Sequence, residues 1–195
     1  MLRHGRRPLA EPGTGPEPAG EAPLFDLIEL FFFAYRDFTA DADRQLEALQ
    51  FGRAHHRVLH FVYRNPGLTV AALLDILKIT KQSLNRVMKD LTDGGFIEVR
   101  TGVSDRRRRL LQATPEGCRL ALDLARLHSE RFERALAPLP DAVRPQAVAF
   151  LLGMIDTAER PQVEALVWGA PPPDPDRPAG RDAGPHRLGA REQAA

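Results

Sequence analysis

The chain has 195 residues, a formal net charge of +1 and a hydrophobic content of 43%, which is the composition of an ordinary globular domain. Its single cysteine excludes an internal disulfide framework and a zinc site built from several cysteines, and it favours the reducing cytoplasm. No metal or cofactor is expected. Residues 78–109 carry nine Lys and Arg against four Asp and Glu, so we expect one site for a polyanion.

The two ends of the chain differ in composition from the middle. Eleven of the seventeen prolines lie in the first 23 and the last 25 residues, where large apolar residues are scarce. Such segments cannot bury enough apolar surface to fold. We therefore expect a disordered tail at 1–22, one folded domain at 23–160 and a mostly disordered tail, rich in Pro and Gly, at 161–195.

The first predicted helix follows Pro23 and contains the longest apolar stretch, Leu24 to Phe38. Four charged residues interrupt this stretch, so we expect neither a membrane span nor a secretory signal. Its apolar residues cover more of the helix circumference than a single core-facing stripe requires. We therefore expect a homodimer whose contacts include four residues of this helix: Leu24, Leu27, Ile28 and Phe31.

Local signals predict the next three helices. Residues 41–49 continue or restart the first helix, and a second runs from about Arg53 to Tyr63, before Asn65-Pro66-Gly67. Thr69 is placed to cap a short helix at 70–77. Thr80 is placed to cap a helix at 81–93, in which apolar residues recur at helical spacing: Leu84, Val87, Met88 and Leu91.

Strand signals follow Gly94-Gly95. Ile97, Val99 and Thr101 alternate with polar residues as in a half-buried strand, and 102–108 has the composition of a charged turn. Leu111 and Ala113 supply the inward face of a returning strand.

Two further helices complete the predicted domain. Thr114-Pro115 is an N-cap followed by proline at the first helical position, and it opens a long helix to about Leu136. A last helix is expected from about Asp141 to Glu159. The predicted fold is mainly α with a small β-wing. A winged helix-turn-helix at about 50–114 is flanked by dimerisation helices at about 24–48 and 114–159.

In a winged helix-turn-helix the second helix of the pair enters the major groove of double-stranded DNA, and the tip of the ribbon reaches the backbone or the minor groove. The helix at 81–93 suits this role, because its polar residues are of types that can contact phosphates and also pair with base edges. The candidate reading residues are Thr80, Lys81, Gln82, Ser83, Asn85, Arg86 and Lys89.

The candidate wing residues lie in an arginine run beside one carboxylate: Asp105, Arg106, Arg107 and Arg108. Arginine tolerates partial desolvation in a narrow minor groove. A bare arginine run is equally well explained as a solvated turn. Its position between two strands, just after a basic amphipathic helix, favours the DNA-contact interpretation.

The stretch from about Leu49 to Gly117 resembles the MarR family of bacterial regulators. The resemblance rests on Lys81-Gln82-Ser83-Leu84, Leu91-Thr-Asp-Gly-Gly-Phe-Ile97, Asp105-Arg-Arg107 and Leu111-Gln-Ala-Thr-Pro-Glu-Gly117. Ala113 departs from the leucine of the family pattern, which removes packing volume rather than a DNA contact. More distantly, Phe51–Arg57 and Ile79–Ser83 are similar to a purple-bacterial subgroup associated with photosynthetic electron transport.

The resemblance implies that Arg107 enters the minor groove with Asp105 orienting it, and that the first and last helices of two chains intertwine. Two recognition helices would then read a pseudo-palindromic operator with half-sites about one DNA turn apart. Members of the family often bind a small aromatic or phenolic effector between the dimer helices and the winged domain, but the sequence assigns no effector-binding residue.

Three other groups of residues have a structural and a functional interpretation. His55, His56 and His60 share one predicted helix, and His56 and His60 are four residues apart, as in some metal-binding pairs. No carboxylate or cysteine at ligand spacing accompanies them, so we interpret them as neutral packing or capping residues. Cys118 is interpreted as a space-filling residue rather than a redox sensor. Five aromatic residues are interpreted as dimer core rather than as an effector pocket: Phe31, Phe32, Phe33, Tyr35 and Phe38.

The sequence therefore predicts a sequence-specific DNA-binding regulator, either a repressor or an activator. A non-specific architectural DNA-binding protein is the alternative, and Gln82, Ser83 and Asn85 favour specificity over it. A protein-interaction module that binds an acidic partner is a further alternative. An enzyme is not expected, because no glycine-rich phosphate loop, nucleophile motif or acid–base pair is recognised.

Overall fold

A computed structural model describes residues 22–101 and 108–169 of the chain. The predicted terminal tails therefore lie mostly outside the described residues, as do Asp105, Arg106 and Arg107. The elements in chain order are α1 (Phe25–Glu47), α2 (Arg53–Arg64), β1 (Leu68–Thr69), α3 (Val70–Leu77), α4 (Lys81–Asp93), β2 (Ile97–Thr101), β3 (Arg109–Ala113), α5 (Pro115–Leu136), α6 (Val143–Gly153) and α7 (Arg160–Trp168). This order confirms the predicted mainly α fold with a small β-wing.

The chain divides into two compact units, and the boundary falls within α1, between Arg36 and Asp37. In the first unit the apolar residues of α1 are exposed. The four residues predicted for dimerisation are 44–63% exposed: Leu24, Leu27, Ile28 and Phe31. Arg36 lies over the ring of Phe33, with its guanidinium carbon 5.0 Å from the ring centroid. Within the described residues, no helix is both long enough and apolar enough to cross a membrane.

The core of the second unit is built by α2, α3, α4, α5 and the sheet around one buried cluster. Val58, Leu59 and Val62 of α2 are fully buried, and Ala42 and Leu46 from the end of α1 join them. The predicted apolar stripe of α4 is confirmed, since all four of its residues are buried. Burying each leucine or valine side chain contributes about 1.5–3 kcal/mol, so this cluster supplies the main stabilisation of the fold.

The sheet has three antiparallel strands in the order β1-β3-β2, where the sequence predicted two. The unpredicted strand β1 has only two residues and pairs Leu68 with Leu111 of β3. In the β2–β3 ribbon, Ile97 pairs with Ala113 and Thr101 pairs with Arg109. The predicted half-buried alternation of β2 is wrong beyond its first residue. Ile97 is buried, but Val99 and Thr101 are exposed because the ribbon extends away from the core.

Three predicted N-caps are confirmed. The side-chain oxygens of Thr69, Thr80 and Thr114 accept hydrogen bonds from the backbone N–H groups of Ala72, Ser83 and Gly117, respectively. Each bond satisfies one of the otherwise unpaired donors in the first turn of a helix. These caps determine where α3, α4 and α5 begin.

The predicted last helix at 141–159 is wrong in extent, because α6 ends at Gly153 and a further helix, α7, begins at Arg160. Arg160 stabilises the break by donating from Nη2 to the Gly153 carbonyl at 2.7 Å and from Nε to the Ile155 carbonyl at 2.9 Å. These bonds satisfy carbonyls that are left unpaired where α6 ends. Residues 161–168 of α7 thus lie within the segment that was expected to be mostly disordered.

Candidate nucleic-acid interface

Helix α4 separates its residues into a buried face and an exposed polar face. Its apolar residues are buried in the core of the second unit, while its basic and amide side chains all lie at the surface. Every candidate reading residue is exposed: Thr80, Lys81, Gln82, Ser83, Asn85, Arg86 and Lys89. The helix therefore presents charge and hydrogen-bonding groups together on one outward face, as major-groove reading requires.

Some of these side chains already have partners. Thr80 Oγ1 donates to Ser83 Oγ at 2.9 Å and accepts from the Ser83 N–H at 3.2 Å, so Thr80 acts as a cap. Lys89 Nζ forms an ion pair with Asp93, which raises the pKa of Lys89. Among residues 22–101 and 108–169, no side-chain hydrogen bond or ion pair engages Gln82, Asn85 or Arg86. These three residues are the best placed to pair with a ligand.

One side-chain contact and two glycines fix the C-terminal end of α4 and the chain that follows it. His55 Nε2 of α2 lies 3.1 Å from Asp90 Oδ2 of α4, and this link was not predicted. Just beyond the same, C-terminal end of α4, Gly95 adopts a φ of +75° that favours glycine, and it turns the chain into β2. A Cβ added to Gly117 would lie 2.0 Å from the Phe96 carbonyl oxygen, so only glycine permits this approach of α5 to the start of β2.

The base of the wing is described on both strands. Arg108 and Arg109 are exposed, and Arg100 forms an ion pair with Glu98 at 2.6 Å along the same strand. The tip residues Asp105, Arg106 and Arg107 lie outside the described residues, so their proposed DNA contacts remain predictions. The strands on either side leave the core next to the C-terminal end of α4.

The three histidines of α2 do not act as one group. The His55 ring stacks on Phe51 at a centroid distance of 4.7 Å, and its Nδ1 accepts a hydrogen bond from the Gly52 N–H at 3.1 Å. His56 and His60 instead face His128 of α5. The centroid of His56 lies 4.9 Å from that of His128 and 6.5 Å from that of His60. His128 was not predicted, since its approach to α2 depends on tertiary packing.

This histidine cluster, defined as His56, His60 and His128, is partly buried. Burial lowers the pKa of His56 to about 4, and the neighbouring His128 and His60 add to the effect. Burial also lowers the pKa of His60 and of His128. His128 stacks on Phe38 at 3.9 Å, and its buried Nε2 has no hydrogen-bond partner among the described residues. In that part of the chain, no group of three or more His, Cys, Asp or Glu is arranged to hold a metal ion.

Cys118 is half-buried in the first turns of α5, where its Sγ lies 3.8 Å from the Ala113 carbonyl oxygen. Burial raises the pKa of the thiol above its usual value. A raised pKa disfavours the reactive thiolate form, which supports the space-filling interpretation of this residue.

The chain is similar to known proteins in both sequence and fold. Residues 49–108 match the model of the MarR family. The HTH-type transcriptional regulator PetP of Rhodobacter capsulatus is 44% identical over 160 residues, which cover 76% of this chain and 94% of that protein.

Solved structures agree at the level of the fold. The crystal structure of MarR superposes with a TM-score of 0.56 at 21% identity, covering 76% of this chain and 99% of that one. The crystal structure of the S. aureus MepR–DNA complex superposes with a TM-score of 0.54 at 21% identity, covering 65% of this chain and 94% of that one. Together with the sequence match to PetP, the winged helix-turn-helix shows that the chain belongs to the MarR family of transcriptional regulators.

Proposed function

We propose that the protein is a sequence-specific regulator of transcription that reads the major groove of double-stranded DNA with α4. The observation that carries the proposal is the exposed face of α4, where Gln82, Asn85 and Arg86 have no partner within residues 22–101 and 108–169. An amide side chain pairs with adenine through two hydrogen bonds, and a guanidinium does so with guanine. This face therefore supplies both base-reading and phosphate-binding groups.

The N-terminus of α4 adds a second element of the proposed DNA contact. Thr80 caps one of the first-turn donors, and the remaining N–H groups, together with the positive end of the helix dipole, favour a phosphate oxygen. Lys81 is exposed in this same turn. A phosphate bound there would fix the position of the helix in the groove without reading sequence.

The proposed functional unit is a homodimer. The apolar residues of α1 at 24–35 are exposed in the single chain, and an exposed apolar surface of this extent marks an interaction site. A second copy supplies the same surface by symmetry, and two copies of α4 would then read two half-sites of a pseudo-palindromic operator. Because DNA is the proposed target, we place the protein in the cytoplasm.

The test is a binding selection on fragmented genomic DNA, followed by titration of a recovered fragment against unrelated DNA at fixed salt. We expect a recovered site with two related half-sites, bound about 10³-fold or more tightly than unrelated DNA. Equal affinity for all sequences, with a steep dependence on salt, would support the architectural alternative instead. The absence of binding to any duplex would contradict both.

A further inference from the structure

Helix α7 contacts the helix-turn-helix of its own chain through side chains far apart in sequence. Glu159, the residue that precedes α7, places Oε2 3.3 Å from the Lys78 ammonium. One turn on, Gln162 Nε2 donates to the Asp75 carboxylate. Near the end of α7, the Val167 carbonyl accepts a hydrogen bond from Arg64 at 3.3 Å. The first two contacts converge on the last turn of α3 and on Lys78, where the chain turns towards α4.

Lys78 has an unusual backbone conformation at that turn. It is the residue after α3, with φ 50° and ψ 41° in the left-handed region, which a side chain other than that of glycine adopts only at a cost in free energy. Its ammonium is held by Asp75 at 2.9 Å as well as by Glu159, and both carboxylates raise the pKa of Lys78. Two residues later, Thr80 caps α4. The conformation of Lys78 therefore determines how α4 leaves the turn.

Helix α7 makes few contacts with α2. A cavity of about 200 Å³ lies along this contact, lined by His60, Phe61, Arg64, Asn65, Leu166 and Val167. So sparse a contact provides few dispersion interactions to hold α7 in a unique position. The polar contacts of Glu159 and Gln162 thus contribute a large share of the specificity of this arrangement.

We propose that Glu159 and Gln162 are positioning residues, through which α7 holds the turn at Asp75 and Lys78 and so orders the first turn of the recognition helix α4. Neither residue needs to touch DNA for this role. The alternative is that these are ordinary exposed contacts, which contribute little to stability and order nothing. A measurement at the start of α4 separates the two, because only a positioning role changes the dynamics there.

The first test measures hydrogen–deuterium exchange in the full-length protein without DNA. The probes are the amides of Ser83 and Leu84, which are bonded to the side chain and the backbone carbonyl of Thr80, respectively. We expect the double variant Glu159→Gln/Gln162→Ala to exchange at these amides about threefold faster or more. Exchange in the core of α2, at Val62, should not change.

Glu164→Gln is the matched control. Glu164 is exposed on the same helix, and no hydrogen bond or ion pair involves it within the described residues. This substitution removes the same charge as Glu159→Gln, and we expect wild-type exchange at Ser83 and Leu84. Unchanged exchange in the double variant would overturn the proposal, and so would an equal increase in the control.

The second test rests on the proposed function and compares DNA affinities of the same variants. A less ordered α4 should lose affinity for a selected operator about threefold or more, while affinity for random DNA changes no more than in Glu164→Gln. Equal losses on both DNAs, beyond those of the control, would contradict the positioning role. Because the exchange measurement needs no DNA, a failure of the proposed function would be seen separately from a failure of this inference.

Discussion

The imidazole of His55 bridges the start of α2 to the side chain of Asp90 in α4. Its Nε2 lies 3.1 Å from Asp90 Oδ2, while its Nδ1 accepts a hydrogen bond from the Gly52 N–H at 3.1 Å. The second contact assigns the proton to Nε2, since Nδ1 acts as the acceptor. One side chain thus satisfies the N–H of the N-cap residue of α2 and links α2 to the C-terminal half of α4.

Replacing this histidine should lower stability. His55→Ala removes the partner of the Gly52 N–H and the stack on Phe51, so we expect the free energy of unfolding in urea to fall by about 1–2 kcal/mol. Asp90→Asn keeps a hydrogen-bonding group at the other end and should cost less. If His55→Ala were as stable as the wild type, this bridge would have no role in holding the two helices together.

Stability should fall on mild acidification because of the histidine cluster. The pKa of His56 is about 4 in the folded protein, against an ordinary value of 6.5, so the unfolded chain binds more protons than the folded one between these two values. The contribution of neutral His56 to the free energy of unfolding is therefore fully present above pH 6.5 and is lost as the pH falls towards 4. His60 and His128 act in the same direction.

Charged side chains around the histidine cluster also act on these pKa values. Asp43 favours the charged form of His56, and Asp41 favours that of His128. Burial outweighs both carboxylates, so the pKa of each histidine is still lowered. Arg64 opposes the charged form of His60. Urea unfolding of the wild type and of His56→Gln at pH 7.5 and 5 should show the larger loss in the wild type. Equal losses in the two proteins would show that His56 does not titrate in this range.

Charged substitutions in the exposed apolar face of α1 should disrupt the dimer. Leu27→Glu combined with Phe31→Lys places two charges on the surface that we propose pairs with a second copy, and size-exclusion chromatography with light scattering should detect monomers or aggregates. Glu29→Lys is the control, because it changes the charge of the same exposed helix without removing an apolar group. A wild-type protein that is monomeric at micromolar concentration would contradict the proposed assembly.

At the wing, we expect Arg107 to contribute more to operator affinity than its neighbours. Arg107→Ala should cost more than Arg106→Ala or Arg108→Ala, because only the side chain at 107 is expected to enter the minor groove. Arg107→Lys should restore part of the loss, and Asp105→Ala should be intermediate. The measurement is a titration of each variant on one operator at fixed salt. Wild-type affinity for Arg107→Ala, with losses at 106 or 108, would mean that the wing register is shifted by one residue.

The sequence predicted those elements whose signals are local. Thr69, Thr80 and Thr114 each precede a helix and cap it, and the apolar spacing in α4 places four residues in the core. Strand β1 was missed because two residues show no alternation, and it is a strand only through its pairing with β3. The break after α6 did have local signals, Gly153 at the end of one helix and Pro161 at the start of the next.

The features that the sequence did not predict depend on tertiary packing. His128 lies 72 positions beyond His56 in the chain, and α5 must pack against α2 before the two rings meet. The contacts of Glu159 and Gln162 with the helix-turn-helix arise in the same way. Glu159 was expected at the end of the last helix of the domain, and Gln162 in the mostly disordered tail. The exposed polar face of α4 was predictable, because helical periodicity alone separates it from the buried face.

The most direct test of sequence-specific reading by α4 compares three variants on a selected operator and on random DNA at fixed salt. Gln82→Ala and Asn85→Ala should each cost about 1–3 kcal/mol on the operator and little on random DNA, with the preference relaxed at particular base pairs. Lys89→Ala should weaken binding to both DNAs alike. If all three variants lost the same affinity on operator and random DNA, α4 would bind DNA by charge alone, and the account of a sequence-specific regulator would be contradicted.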